Sequence, residues 1–119
     1  MGIELRHRDI DGYGMTDMGW EIHPRGLEKV LKYASKLKVP LIVTENGIAT
    51  RDTEQKVKFM RDHVEILEKT IRNGIDVRGY FYWTLIDNYE WLQGLDTRFG
   101  LYRVDFETLQ RLCGEETDT

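Results

Sequence analysis

The stretch Leu41-Ile42-Val43-Thr44-Glu45-Asn46-Gly47 limits the fold of this chain more than any other. An unbroken aliphatic run leads into a carboxylate and then into Asn46-Gly47. That pair ends a strand, because glycine and, less readily, asparagine accept positive φ. A glutamate therefore stands at the exit of a strand expected to be buried. In parallel α/β sheets and barrels such exits are where ligands bind, since the strand fixes the side chain while the loop beyond it stays open. The alternative for Glu45 is a solvated strand-end acid with no chemistry.

The elements around this strand follow from periodicity. Residues 1–19 are rich in glycine and aspartate without sustained periodicity and are expected to be loop. Pro24 suits a first helical position. Leu27, Val30, Leu31, Ala34 and Leu37 then recur at spacings of three and four, which predicts a helix over about 24–38. The strand is expected over Val39 to Thr44, with Pro40 near its start, where a missing N–H is tolerated. Asp52 or Thr53 can cap a second helix whose face is Val57, Met60, Val64, Leu67 and Ile71, with Gly74 as its left-handed stop. Val77 to Trp83 alternates as a second strand. Strand, helix, strand in this order is a βαβ unit, with a right-handed crossover and parallel neighbours. Phe99 to Phe106 suggests a short strand or hairpin arm, and residues 112–119 are expected to form a disordered tail.

Composition removes several function classes. With 119 residues there is room for one domain. The net charge of −4 and the dispersal of lysine and arginine among acids leave no basic face for nucleic acid. No apolar run approaches the roughly 18 residues of a membrane span, and no signal-peptide core is legible. The single cysteine, Cys113, forms no internal disulfide, so a reducing, cytoplasmic setting is expected. His7, His23 and His63 are scattered, and there is no phosphate loop, metal-spaced Cys/His cluster or serine elbow. No cofactor and no metal are expected.

The remaining chemistry gathers at the two strand exits. One carries Glu45, and the other runs through Trp83-Thr84-Leu85-Ile86-Asp87-Asn88-Tyr89-Glu90-Trp91. Cleaving a glycosidic bond needs two carboxyl groups flanking the anomeric carbon, about 5–5.5 Å apart if a covalent glycosyl-enzyme forms. It also needs a floor on which the apolar face of a sugar can stack, and charged acceptors for its hydroxyls. Trp83, Glu90 and Trp91 suit those tasks. Either tryptophan alone is as readily explained by packing under a long loop.

Thr44-Glu45-Asn46-Gly47, the run Gly79 to Trp91, Gly94, Arg98-Phe99-Gly100-Leu101 and Val104-Asp105 resemble the C-terminal third of glycoside hydrolase family 1. The upstream run Asp17 to Pro24 resembles the approach to that family's seventh barrel repeat, so the likeness covers roughly residues 15 to 111. The resemblance implies an α/β fold, the C-terminal part of a (β/α)8 TIM barrel, with the βαβ unit supplying parallel strands seven and eight. It implies a β-glucosidase-type hydrolase that retains configuration, acting on a small β-glycoside or oligosaccharide. Glu45 then resembles the nucleophile, Trp83 the floor under the sugar, Glu90 and Trp91 the pair that binds its outer hydroxyls, and Phe99 a residue lining the pocket. Glu90 also points to an unphosphorylated sugar, because two like charges would repel.

Against the family pattern, the chain lacks the Asn-Glu-Pro segment that carries the acid/base glutamate, along with the early-strand residues that hold the sugar. A whole barrel needs about 250 residues. Both strands would have open parallel edges, so a complementing fragment or a second copy of the chain is expected to cover them. The alternatives are a carbohydrate-binding remnant without turnover and an inactive fragment.

Overall fold

The computed structural model describes residues 12–113. Within them, helix α1 (Pro24–Ala34), strand β1 (Leu41–Asn46), helix α2 (Thr53–Arg72) and strand β2 (Val77–Tyr82) follow in order. Strands β3 (Tyr102–Val104) and β4 (Arg111–Cys113) then form a small hairpin. The first 11 residues of the expected N-terminal loop lie outside the described residues. From Gly12 to Gly19 the chain is irregular, with one isolated bridge between Met15 and Glu21.

Helix α1 begins on Pro24 as expected but ends earlier than the apolar spacing implies. At Ser35 the chain tightens into a 3-10 turn through Leu37, the Ser35 hydroxyl donating to the Lys32 carbonyl at 2.8 Å. Lys38 then takes a left-handed φ of 57°. Two local effects oppose continuation: serine offers the backbone a competing hydrogen bond, and Pro40 disfavours helical geometry at Val39. β1 accordingly starts at Leu41, whose N–H donates to the Asp76 carbonyl at 2.8 Å, and runs on to Asn46.

Helix α2 is capped as its sequence implies. The Asp52 carboxylate accepts the N–H groups of Glu54 and Gln55 at 2.8 and 3.1 Å, and Gly74 adopts a φ of 90° just past the end. Its buried face differs from the expected stripe. Phe59, His63, Leu67 and Thr70 are buried, whereas Val57, Val64 and Ile71, spaced by seven, are exposed. Phe59 and His63 stack with ring centroids 3.8 Å apart, and His63 Nδ1 bonds the Phe59 carbonyl at 2.8 Å. His63 is thus a packing histidine. α1 is tied to α2 by Glu28, which meets Lys32 at 2.7 Å and Lys69 at 3.6 Å.

β1 and β2 pair in parallel, so strand, helix and strand form the expected βαβ unit. The ladder is irregular, with register shifts after Leu41 and after Val43. The expectation of a buried strand is corrected in one respect: Ile42 is 57% exposed and Phe81 62%. A two-stranded sheet has two open edges, and the described elements leave these side chains uncovered. The core lies instead beside the strand exits, where Ile22, Ile48 and Phe59 pack with Tyr13 and Tyr82. Ile48, Ala49 and Thr50, a loop, are the most deeply buried run among the described residues.

The expected tail is also corrected at its start. Leu112 and Cys113 belong to β4, opposite Arg103 and Tyr102, because antiparallel pairing satisfies their backbone groups. Asp105 shapes the turn by accepting the N–H groups of Glu107 and Thr108 at 2.8 and 3.2 Å. Residues 114–119 lie outside the described residues.

Candidate active site

Glu45 stands next to last in β1, its exposed side chain without a hydrogen-bond partner among the described residues. The residues behind it are firmly placed. The Asn46 side-chain oxygen accepts the Tyr80 hydroxyl at 2.8 Å, and the Asn46 carbonyl accepts the Trp83 N–H at 3.0 Å. Neither Asn46 nor Gly47 has a positive φ, contrary to the sequence expectation. Gly47 is required for a different reason: a Cβ there would lie 1.7 Å from the Trp83 carbonyl oxygen. Glycine lets the two strand exits touch.

The second exit gathers the other expected residues. Trp83, which follows β2 directly, is joined to Thr84 by a cis peptide bond and is half-buried. Its indole N–H donates to Glu90 Oε1 at 3.0 Å. Glu90 sits in a tight loop, its N–H donating to the Gly94 carbonyl at 2.8 Å while its own carbonyl accepts the Gln93 N–H at 2.7 Å. Trp91 is 85% exposed and held at a φ of 42°, a left-handed conformation that costs a bulky residue roughly 1–3 kcal/mol. Packing under a loop does not account for Trp91.

Phe99 lies just beyond the tryptophan loop. It is only 7% exposed, so its ring is not open to solvent. Its carbonyl accepts the Thr84 N–H and the Tyr82 hydroxyl, both at 3.4 Å, which places it behind the Trp83 exit. Burial pushes the Tyr82 hydroxyl up to about 12, so it remains a proton donor at neutral pH.

Other residues at this end were legible in type but not in role. Asp87 reads from sequence as one more polar group in the tryptophan loop. In the structure it is 4% exposed and accepts bonds from Arg98 at 3.0 Å, Gly100 N–H at 2.8 Å and Val104 N–H at 3.3 Å. Lys56 reaches from α2 to the Gly100 carbonyl, and its burial pulls the ammonium below the usual lysine range. The only local signal was an acid and an arginine flanking a glycine-bearing loop.

Elsewhere, a hollow lined in part by Tyr13, Pro24, Arg25, Asp62 and Lys69 shares no residue with the strand exits and carries both signs of charge. Among the described residues no group of three His, Cys, Asp or Glu side chains is placed to hold a metal ion. Nor is any helix among them long and apolar enough to cross a membrane.

An exposed carboxylate beside an indole–carboxylate pair is a set of groups suited to a sugar ring, and comparison with known proteins points the same way. The profile of Glycosyl hydrolase family 1 matches residues 6–117, a longer stretch than the motifs alone span. The beta-galactosidase of Saccharolobus solfataricus is 43% identical over 108 residues, covering 90% of this chain and 22% of that protein. The beta-galactosidase of Pyrococcus woesei is 39% identical over 107 residues, covering 90% of this chain and 21% of its own length. The structure of a beta-glycosidase from Pyrococcus horikoshii superposes with a TM-score of 0.87 at 46% identity, covering 92% of this chain and 26% of that one. This chain therefore spans about a fifth to a quarter of the length of these relatives, corresponding to part of one TIM barrel. On the profile match and on these likenesses, the chain belongs to glycosyl hydrolase family 1.

Proposed function

We propose that this chain carries the nucleophile and part of the sugar-binding surface of a retaining β-glycosidase acting on unphosphorylated β-glucosides or related β-glycosides, with β1 and β2 as the seventh and eighth barrel strands. The observation that carries this reading is the 3.0 Å bond from the Trp83 indole to Glu90, on a strand exit held directly against the one that bears Glu45. An indole whose N–H is already engaged presents its ring face for stacking, and the same Glu90 carboxylate keeps lone pairs for sugar hydroxyls.

In this reaction the Glu45 carboxylate attacks the anomeric carbon, the glycosidic C–O bond breaks, and a covalent glycosyl-enzyme forms that water later opens. The acid/base that protonates the leaving group is supplied from outside this chain, a contribution of roughly 10²–10⁴-fold. Trp83 forms the floor, and Glu90 with Trp91 binds the outer hydroxyls. Phe99 lines the pocket near the C6 end of the sugar.

The test is the intact mass of the chain, combined with the remaining three quarters of a family 1 barrel, after exposure to a 2-deoxy-2-fluoro-β-glucosyl fluoride. Fluoride leaves without acid help, so a gain of one fluoroglucosyl unit mapped to Glu45, absent in Glu45→Gln, is expected. Labelling that survives Glu45→Gln overturns the assignment.

A second reading is favoured by the Trp83–Glu90 bond, which forms within this chain: sugar binding without turnover. It predicts sugar-dependent quenching of tryptophan fluorescence by the chain alone, with no product released.

A further inference from the structure

We propose that Asp87 is a positioning residue, whose buried carboxylate holds the tryptophan loop so that Glu90 reaches the Trp83 indole. The inference rests on the reading of Glu90 as a sugar-binding group, and goes beyond it by naming what sets that group's place.

Trp83 is fixed from the sheet side, through its N–H bond to the Asn46 carbonyl. Glu90 lies seven residues later, and its main chain bonds within its own loop, to Gln93 and Gly94. Downstream, the loop is held at the Asp96 carbonyl, which accepts Arg51 Nη2 at 3.1 Å. The nearest anchor is Asp87, three residues upstream. Its main-chain N–H donates to the Tyr102 carbonyl at 3.1 Å. Its Oδ1 accepts the Gly100 N–H at 2.8 Å, and its Oδ2 accepts Arg98 Nη1 at 3.0 Å and the Val104 N–H at 3.3 Å. Beyond the main-chain bonds of Thr84 and Leu85 to Phe99, Leu101 and Tyr102, this carboxylate is the side-chain link between the tryptophan loop and the segment entering the β3–β4 hairpin.

The fit around it is close. A Cβ on Gly100 would lie 2.3 Å from the Asp87 nitrogen and 2.8 Å from its Oδ1, so the two segments meet at backbone distance. Arg98 is itself held by the Val104 carbonyl at 3.0 Å and lies over the Phe106 ring, which keeps the guanidinium in place for Asp87. Lys56 secures the far side of Gly100 from helix α2. The anchor is therefore referenced to the same βαβ unit that carries Trp83. Bonds to a buried charged group are the strong ones, and low exposure prevents water from replacing them.

The experiment measures hydrogen exchange of the Trp83 indole N–H in the nitrogen-15-labelled chain, without sugar, against the main-chain N–H groups of Leu67, Thr70 and Trp83. Asp87→Asn keeps the shape and removes the charge. Its expected effect is indole exchange faster by about tenfold or more, with the three main-chain references unchanged. An indole rate equal to that of the parent chain overturns the proposal, as does acceleration of indole and references by one common factor, which would mark a merely structural role. Should Asp87→Asn abolish folding, Arg98→Lys decides: a smaller selective acceleration supports the proposal and an unchanged indole overturns it. Because no sugar or labelling reagent is present, this result stands apart from whether Glu45 is ever labelled.

Discussion

The two strand exits of this chain differ sharply in how they are held. At the β1 exit the backbone is locked, with Ile48, Ala49 and Thr50 almost wholly buried, yet the Glu45 side chain has no partner among the described residues. At the β2 exit Trp83 is tied to Glu90 and Asp87 to Arg98, Gly100 and Val104, while Trp91 stays exposed. On the proposed function, the difference separates two tasks. A binding surface made from one loop and one strand end can be braced by its own neighbours in sequence. A reacting carboxylate must be oriented from across the site, by groups that arrive from other strands.

The comparison can be broken most forcefully at the brace. Asp87→Ala leaves Arg98, with a side chain only 16% exposed, without its counter-charge, and about 3–5 kcal/mol of unfolding free energy is expected to be lost in urea titrations. A loss below about 1 kcal/mol would mean that the loop is held by something else. Next in size is Gly47→Ala, which drives a methyl into the Trp83 carbonyl; about 1–3 kcal/mol is expected, read as a lowered denaturation midpoint. Asp52→Ala, at the N-terminus of α2 and remote from both exits, removes only a cap and costs about 1 kcal/mol.

Smaller again is the pH effect of His63. Burial holds its ring below the ordinary histidine value of 6.5, against the opposing pull of the Phe59 carbonyl and Asp62, with His23 adding to the depression. The unfolded chain then binds a proton more readily than the folded one, so stability is complete above pH 6.5 and drains as pH falls toward the folded-state value. His63→Phe is expected to flatten that slope, and an unchanged slope would transfer the effect to other groups. The smallest change belongs to Glu45→Gln, which is expected to move stability by less than about 0.5 kcal/mol while abolishing labelling of the complemented barrel. A large stability change would show that Glu45 is not the free carboxylate it is at the unbraced exit.

The faces left uncovered explain several mismatches between sequence and structure. Val57, Val64 and Ile71 keep helical spacing but face solvent, as do Ile42 and Phe81 on the strands. Their apolar character was correctly legible; their burial was not, because burial depends on elements that the described residues do not include. Asp87 and Gly100 failed to declare themselves for the opposite reason. An aspartate among polar loop residues looks alike whether it faces water or accepts three bonds in a buried turn, and only the path of the chain brings Gly100 and Val104 to it.

By itself the sequence determined the order strand, helix, strand, a cap at Asp52 or Thr53, the stop at Gly74 and the choice of Glu45, Trp83, Glu90 and Trp91 as the candidate residues. Those are local matters, set by periodicity, turn chemistry and ordered motifs within a few residues of one another. Only the tertiary structure decided that Gly47 serves close approach and not positive φ, that Phe99 is buried, and that Asp87 anchors the loop beneath Glu90. Each of these turns on which distant atoms come within bonding or clashing range. That is a property of packing, which no single segment carries.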